Sequence, residues 1–346
     1  MRSIGAIFGL SVVVVVGAGA AARANPRAHL VRGEKLLKKG DVAGALKAFT
    51  AAIRAAPRDP RGYYQRGVCH ERKKAPAAAV ADYRAAIKLR PGFAEAHNNL
   101  GALLHEQGKV KEAHRQLQLA VRAKPDYGEA WYNLGLTLYD LGRVGDAAKA
   151  YKRAARLRPR DVDVRINLGA ALHRRGDLDG AIRQLKMAAE LAPGDAMARF
   201  NYGSLLLEKK RYGDAAAQLE RTVELDRGHA RAWHRLGLAQ ARLGKLDRAL
   251  ASLERAVKLA PRAAAARCDL GKVYRKQGKL KRALAAYRAA LRVDPGYAKA
   301  HLLIGLAYAS KGRCKAARRA FVAFVKARKN LPPGTLDALS KRCKRR

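Results

Sequence analysis

The chain has 346 residues, with 72 Lys plus Arg against 28 Asp plus Glu and a formal net charge of +44. Hydrophobic residues make up 49% of it, too many for a disordered polycation, and four cysteines are too few for a small disulfide-dense scaffold. Such a charge attracts polyanions, and it is unevenly placed: Ala230 to Arg346 holds 31 Lys plus Arg against 5 Asp plus Glu.

The N-terminal segment, MRSIGAIFGLSVVVVVGAGAAARA, carries one early Arg, an apolar run and Ala22-Arg23-Ala24. This reads as a secretory signal with an A-x-A cleavage site after Ala24. The alternative is an uncleaved single-span anchor, because Ile4 to Ala22 approaches bilayer thickness. Either reading places the rest of the chain outside the cytoplasm, in a periplasm, secreted, or tethered to an inner membrane.

From Pro26 onward the chain repeats at one constant step, the interval from Pro57 to Pro91. Pro125, Pro159 and Pro193 keep this step, Arg227 interrupts it, and Pro261 and Pro295 resume it. Glycines run in phase from Gly33 to Gly305, and alanines from Ala45 to Ala317. A period of this length reads as stacked helical hairpins. Nine units fill residues 25–331 without an insertion. In the unit that begins at Gly128, Trp131, Leu134, Gly135 and Leu138 form the apolar stripe of a first helix. Ala147, Tyr151 and Ala154 continue the stripe on a second helix. Gly135 and Ala147 are small where the two helices must approach, Gly142 fits a left-handed cap between them, and Pro159 ends the pair. One such hairpin cannot bury its apolar face alone, so its neighbours must stack on it.

These residues resemble the tetratricopeptide repeat (TPR), whose Trp, Leu-Gly, Tyr, Ala, Phe and Pro pattern recurs in all nine units. Local departures are His29, His97 and His301 at position 4, Arg227 for a Pro, and Gln240 where Tyr or Leu is usual. The resemblance implies an all-α fold: a right-handed α-solenoid superhelix of stacked antiparallel helix pairs whose groove binds other polypeptides. It implies neither catalytic activity nor a cofactor.

In this family the first helix of each pair lines the groove, so positions 2, 6, 9 and 13 of each unit are the candidate ligand-facing stripe. Units three to six place Asn99, Asn133, Asn167 and Asn201 there, with Glu95, Glu129 and Asp140 nearby. An amide both donates and accepts, so a row of four can pair with the main chain of an extended peptide. The row is similar to the asparagine ladder in the superhelical TPR region of O-GlcNAc transferases. The competing reading is Asn tolerated at an exposed helical position. Tyr132, Tyr139 and Phe200 supply apolar contact beside the row, or half-buried packing. In units seven and eight the stripe turns basic, with Arg231, Arg235, Arg242, Lys272 and Lys276.

The terminal-carboxylate clamp of chaperone-binding TPR domains is not matched, because no position 5 carries Lys or Arg. The chain has no C-x-x-C, H-E-x-x-H or phosphate-binding G-x-x-x-x-G-K-[ST] motif, and only the short stretch from Pro332 to Arg346 follows the repeats. That stretch reads as a basic tail with a short capping helix. Cys314, at the start of the last second helix, and Cys343, in that tail, are placed either to form a disulfide or to remain unpaired.

The sequence therefore predicts an exported, non-enzymatic scaffold that binds protein or peptide segments in its groove. The rival is a polyanion binder, with an acidic polymer, an anionic lipid surface or nucleic acid held on the basic C-terminal third. Self-association through terminal repeats is a further possibility.

Overall fold

A computed structural model describes residues 25–327. The signal or anchor segment, the tail at 332–346 and Cys343 lie outside the described residues. Among the described residues there are 18 α-helices.

The first helices of the pairs are α1 (Pro26–Lys38), α3 (Pro60–Arg72), α5 (Ala94–Glu106), α7 (Gly128–Asp140), α9 (Val162–Arg174), α11 (Ala196–Glu208), α13 (Ala230–Arg242), α15 (Ala264–Lys276) and α17 (Ala298–Ala309). The second helices are α2 (Val42–Ala55), α4 (Pro76–Leu89), α6 (Val110–Ala123), α8 (Val144–Leu157), α10 (Leu178–Leu191), α12 (Tyr212–Leu225), α14 (Leu246–Leu259), α16 (Leu280–Val293) and α18 (Cys314–Ala327). The first helices start at one constant interval, that from Pro26 to Pro60, and the second helices keep the same interval. The nine-unit phase read from the sequence is thus the phase of the helices.

The chain divides into two compact units at Thr137 and Leu138, inside α7. In the N-terminal unit α1 packs on α2, α3 on α4 and α5 on α6, and α2 and α4 each pack on the next pair. In the C-terminal unit the same alternation runs from α8 to α18.

What lets each pair close is the glycine at position 8, which faces the large residue at position 24. A methyl on Gly67 would lie 2.7 Å from the Tyr83 ring, one on Gly271 2.5 Å from Tyr287, and one on Gly305 2.3 Å from Phe321. Tyr83, Tyr287 and Phe321 are fully buried by that approach, each stabilising the pair by about 2–3 kcal/mol. Between the helices, Gly142 has φ +74°, as a left-handed cap requires. Two units fill that position with lysine: Lys74 at φ 56° and Lys210 at φ 63°.

Position 4 explains the apparent departures from the repeat. Trp131 Nε1 donates to the Pro125 carbonyl at 2.9 Å, and Trp233 Nε1 donates to Arg227 at 3.1 Å. His97 and His301 reach the Pro91 and Pro295 carbonyls through Nε2 at 2.8 and 2.9 Å. Arg165, Arg199 and Arg267 donate to Pro159, Pro193 and Pro261 at 3.0, 2.8 and 3.1 Å. From unit three to unit nine the position supplies a side-chain N–H just after the turn, and indole, imidazole and guanidinium all provide one, while unit two has Tyr63 there. Arg227 replaces Pro without loss because the acceptor is a backbone carbonyl. Gln240, buried, accepts from Ser252 Oγ at 2.8 Å and donates to Glu220 at 3.4 Å.

Candidate functional site

In the N-terminal unit the asparagines of the stripe are held by the chain itself. Asn99 donates to the hydroxyls of Tyr64 and Tyr83 at 3.5 and 3.4 Å, and accepts from Asn98 at 3.2 Å. Asn133 donates to Asn98 Oδ1 at 2.9 Å. Asn98, at position 5 and buried, also reaches the Tyr127 hydroxyl at 3.3 Å and Glu129 at 3.5 Å. Tyr83 in turn donates to Glu71. Glu95 pairs with Lys124 at 3.1 Å. Burial pushes its carboxyl up, but a bond from its own backbone and the lysine outweigh this and leave it below its usual range. Tyr132 is half-buried on α7 and Glu129 exposed.

In the C-terminal unit Asp140 is exposed and Tyr139 half-buried, with the Arg174 guanidinium 5.0 Å from the Tyr139 ring centre. Asn167 donates to its own helix, to the Asp163 carbonyl at 2.9 Å. Asn201 differs: no hydrogen-bond partner is found for it among the described residues. It lines a cavity of about 240 Å³ with Ile166, His173, Phe200, Ser204, Glu208 and Arg235. Phe200 is only 7% exposed and belongs to the core of its pair, so it contributes a ring surface to this cavity while packing inside.

Three polar groups in that cavity lack a hydrogen-bonding or ion-pair partner among the described residues: Asn201, Ser204 and Arg235. Ser204 is 8% exposed, and its buried Oγ bonds to nothing. The Arg235 and Arg231 guanidiniums each lie 5.8 Å from the Phe200 ring centre. Burial lowers the Arg235 pKa and Arg231 adds to that, against the attraction of Glu208. Glu208 is occupied by His173 at 3.0 Å. Arg242 is exposed.

The lysines of the basic end expected in unit eight are engaged from within. Asp269, 5% exposed, accepts from His234 Nε2 and Lys272 Nζ, both at 2.8 Å, and has Lys299 at 3.6 Å. Burial alone would raise its pKa, but these bonds hold it near 2. Lys276 donates to the Ala241 carbonyl at 3.2 Å. Lys272 and Lys276 are therefore engaged inside the fold, whereas Arg231 and Arg235 are not. Cys314 is half-buried at the start of α18. Cys69 and Cys268 are buried in the core, and burial drives both thiols up, to about 11 and about 12, which leaves them protonated and unreactive.

Sequence reasoning gave Ser204 and Glu208 no role beyond their place in the stripe, and did not assign His173 or the Asp269 knot. Ser204 is the only serine at position 9 in the nine units, which is the signal the sequence held.

Helix pairs at an unbroken step, closed by glycines set against a ring or a leucine and, from unit three onward, tied by a side-chain N–H to the preceding turn, define a helical-hairpin repeat protein. Residues 18–60, 30–92, 98–161, 132–196, 169–230 and 203–265 match the family profile described as tetratricopeptide repeat, and 77–108 and 271–312 match a second, described as TPR repeat. The chain belongs to the tetratricopeptide repeat family.

Among solved structures it is similar to YrrB, described as a TPR protein with an unusual peptide-binding site. That match has 28% identity and a TM-score of 0.51, over 55% of this chain and 97% of that one. It also resembles pilF of Pseudomonas aeruginosa, at 20% identity and a TM-score of 0.54, over 62% of this chain and 96% of that one. The second likeness concerns the fold alone. No curated protein matches the chain.

Proposed function

We propose that this protein is an exported, non-enzymatic interaction scaffold that seats a polypeptide segment along the stripe of its first helices. The observation that carries this reading is the set of unsatisfied polar groups on that stripe, Asn201, Ser204 and Arg235, beside the ring of Phe200. The buried Ser204 hydroxyl is costly to leave without a partner, and the partly exposed Asn201 and Arg235 stand beside it able to pair with a ligand. The peptide-binding site in YrrB's description supports the reading by analogy. Because Asn99 and Asn133 are already bonded within the chain, the peptide ladder narrows to Asn201, with Asn167 as its neighbour. Basic stretches of a partner favour units three to five, and acidic stretches favour unit seven. Export rests on the N-terminal signal or anchor sequence.

The test is a pull-down from the organism's envelope extract with the full chain, at low and high salt, repeated with Ala170→Trp. Ala170 is exposed on the same stripe and lines the cavity, so an indole there obstructs the face without entering the core. A discrete protein retained at high salt by the wild type and lost in the variant is the expected result. Equal recovery by both would remove the first-helix face as the binding site.

A second reading has its own observation. Helices α16 and α18 carry Lys281, Arg282, Arg288, Arg292, Lys315, Arg318, Arg319 and Lys326, and not one Asp or Glu. A polyanion would bind there through counterion release, with steep salt dependence. Recovery of nucleic acid or acidic polymer alone, removed by salt and indifferent to Ala170→Trp, would favour it.

A further inference from the structure

The cavity between α9, α11 and α13 has a chemistry more specific than that of a general peptide groove. Asn201 and Ser204 are three residues apart on α11 and therefore neighbours on one helix face. The Ser204 hydroxyl is more than nine-tenths buried and bonds to nothing. Arg235 enters from the next pair, half-buried, with neither hydrogen bond nor ion pair among the described residues. Arg231, likewise without either, holds a second guanidinium against the same Phe200 ring, so two like charges share one aromatic surface and only the attraction of Glu208, outside ion-pair distance, opposes them. An amide, a hydroxyl and a forked guanidinium converging on one cavity are donors in search of an oxyanion.

We propose that this cavity holds one side-chain carboxylate, from an Asp or Glu within the docked segment. Arg235 takes it bidentately, Asn201 and Ser204 donate to its oxygens, and the methylene stem lies on Phe200 and Ile166. The charge balance selects a monoanion. Glu208 lines the same cavity, with His173 at 3.0 Å, and its repulsion grows with every further negative charge on the ligand. A phosphate dianion is disfavoured on that ground. The apolar wall of Ile166, Leu185 and Leu205 matches a carboxylate on a short aliphatic stem.

This inference rests on the proposal that a segment docks on this stripe, and the test separates the two. The full chain, labelled with ¹⁵N, is titrated with N-acetyl-glutamate N-methylamide while the Arg235 side-chain Nε–Hε signal is followed. In parallel, the protein is applied to an array of random dodecapeptides, acetylated and amidated so that no terminal charge remains. The expected result is a saturable shift of Arg235, with a dissociation constant on the order of millimolar for so small a probe. Binding should weaken at least about tenfold when the probe is the capped glutamine or the protein is Arg235→Gln, and about threefold in Ser204→Ala. Arg235→Lys keeps the charge but not the fork, and should recover only part of the loss. Array peptides should show one Asp or Glu enriched at a fixed offset, and Arg235→Gln should erase that preference.

Saturation by the capped glutamate with no peptide retained on the array would uphold the carboxylate site and remove the segment-docking reading. Peptides retained without acidic preference, with Arg235 unmoved by the probe, would overturn the carboxylate site and leave docking intact. Tighter binding of capped phosphoserine, or binding only of peptides with a free C-terminal carboxylate, would overturn the proposal in favour of those ligands. Ser204→Ala removes a single oxygen from a site that bonds to nothing, so its thermal melt should match the wild type and keep the test clear of misfolding.

Discussion

Asn99 and Asn201 occupy the same position of the repeat, three units apart, and do opposite things. Around Asn99 the neighbouring residues are Tyr64, Tyr83 and Asn98; the equivalent residues around Asn201 are Ile166, Leu185 and Phe200. Each exchange removes a hydrogen-bonding group. In the N-terminal unit the amides close on tyrosine hydroxyls and on one another. In the C-terminal unit the same backbone presents an amide, a hydroxyl and a guanidinium with no hydrogen bond or ion pair among the described residues. A position in a repeat thus specifies where a side chain points, while residues beside it on its own helix and in the preceding unit decide whether it is available.

The strongest way to break this comparison is at Asp269, where the C-terminal unit, like the N-terminal one, closes its stripe on the chain's own side chains. Asp269→Asn leaves His234, Lys272 and Lys299 without their shared carboxylate and should destabilise the chain by about 3 kcal/mol in urea unfolding. A pH series checks the cause. The folded-state pKa of Asp269, near 2, lies below its ordinary value of about 3.9. Its contribution is therefore full above roughly pH 4 and is lost as pH falls through 2, and the variant should lose about 2 kcal/mol of that acid dependence.

Next in size is the glycine at position 8, which the two units share. Gly67→Ala and Gly271→Ala each drive a methyl into a buried tyrosine ring and should cost about 2 kcal/mol, equally in both units, by thermal or urea melt. Unequal costs would mean that the units differ in helix packing as well as in their exposed stripe. Ile166→Tyr sharpens the contrast directly, since it sets a hydroxyl beside Asn201 as Tyr64 is set beside Asn99. Peptide binding at the cavity, read by titration of the best array peptide, should fall about fivefold, the worth of one hydrogen bond. The smallest effect is expected at the two left-handed lysines, one in each unit. Lys74→Gly and Lys210→Gly should each raise stability by about 1 kcal/mol by relieving a conformation that L residues resist.

Most of the fold could be read from the sequence because the period is long, unbroken and marked by Gly, Ala and Pro, residues whose positions follow from backbone geometry and close approach. The small residue at position 8 where the helices approach, and Gly142 at its turn, needed no further information; the rings of Tyr83 and Tyr287 as what those glycines face did. Position 4 was only half legible. Trp131, Arg165 and His301 look unrelated as side-chain sizes, and their common role appears once the carbonyl they donate to is in view. The candidate site was harder to read, because availability is not a local property. Nothing near Asn99 in the sequence announces Tyr64, a whole unit earlier, and the stripe alone could not show that Lys272 is engaged by Asp269 while Arg235 is not.

The position-4 tie has a consequence for how such a chain can change length. It joins each turn to the unit that follows through a donor that unit after unit supplies, onto a carbonyl that every turn offers. Cutting out residues 162–195 would bring Arg199 to the carbonyl of Pro159 in place of Arg165, one guanidinium taking over from another with no mismatch at the join. Removal of one residue fewer would put the donor out of step with its acceptor and the glycines out of step with the rings and leucines they face. The protein is therefore modular in a discrete sense: whole cassettes can be spliced in or out with the joins intact, and anything else is felt along the entire remaining stack.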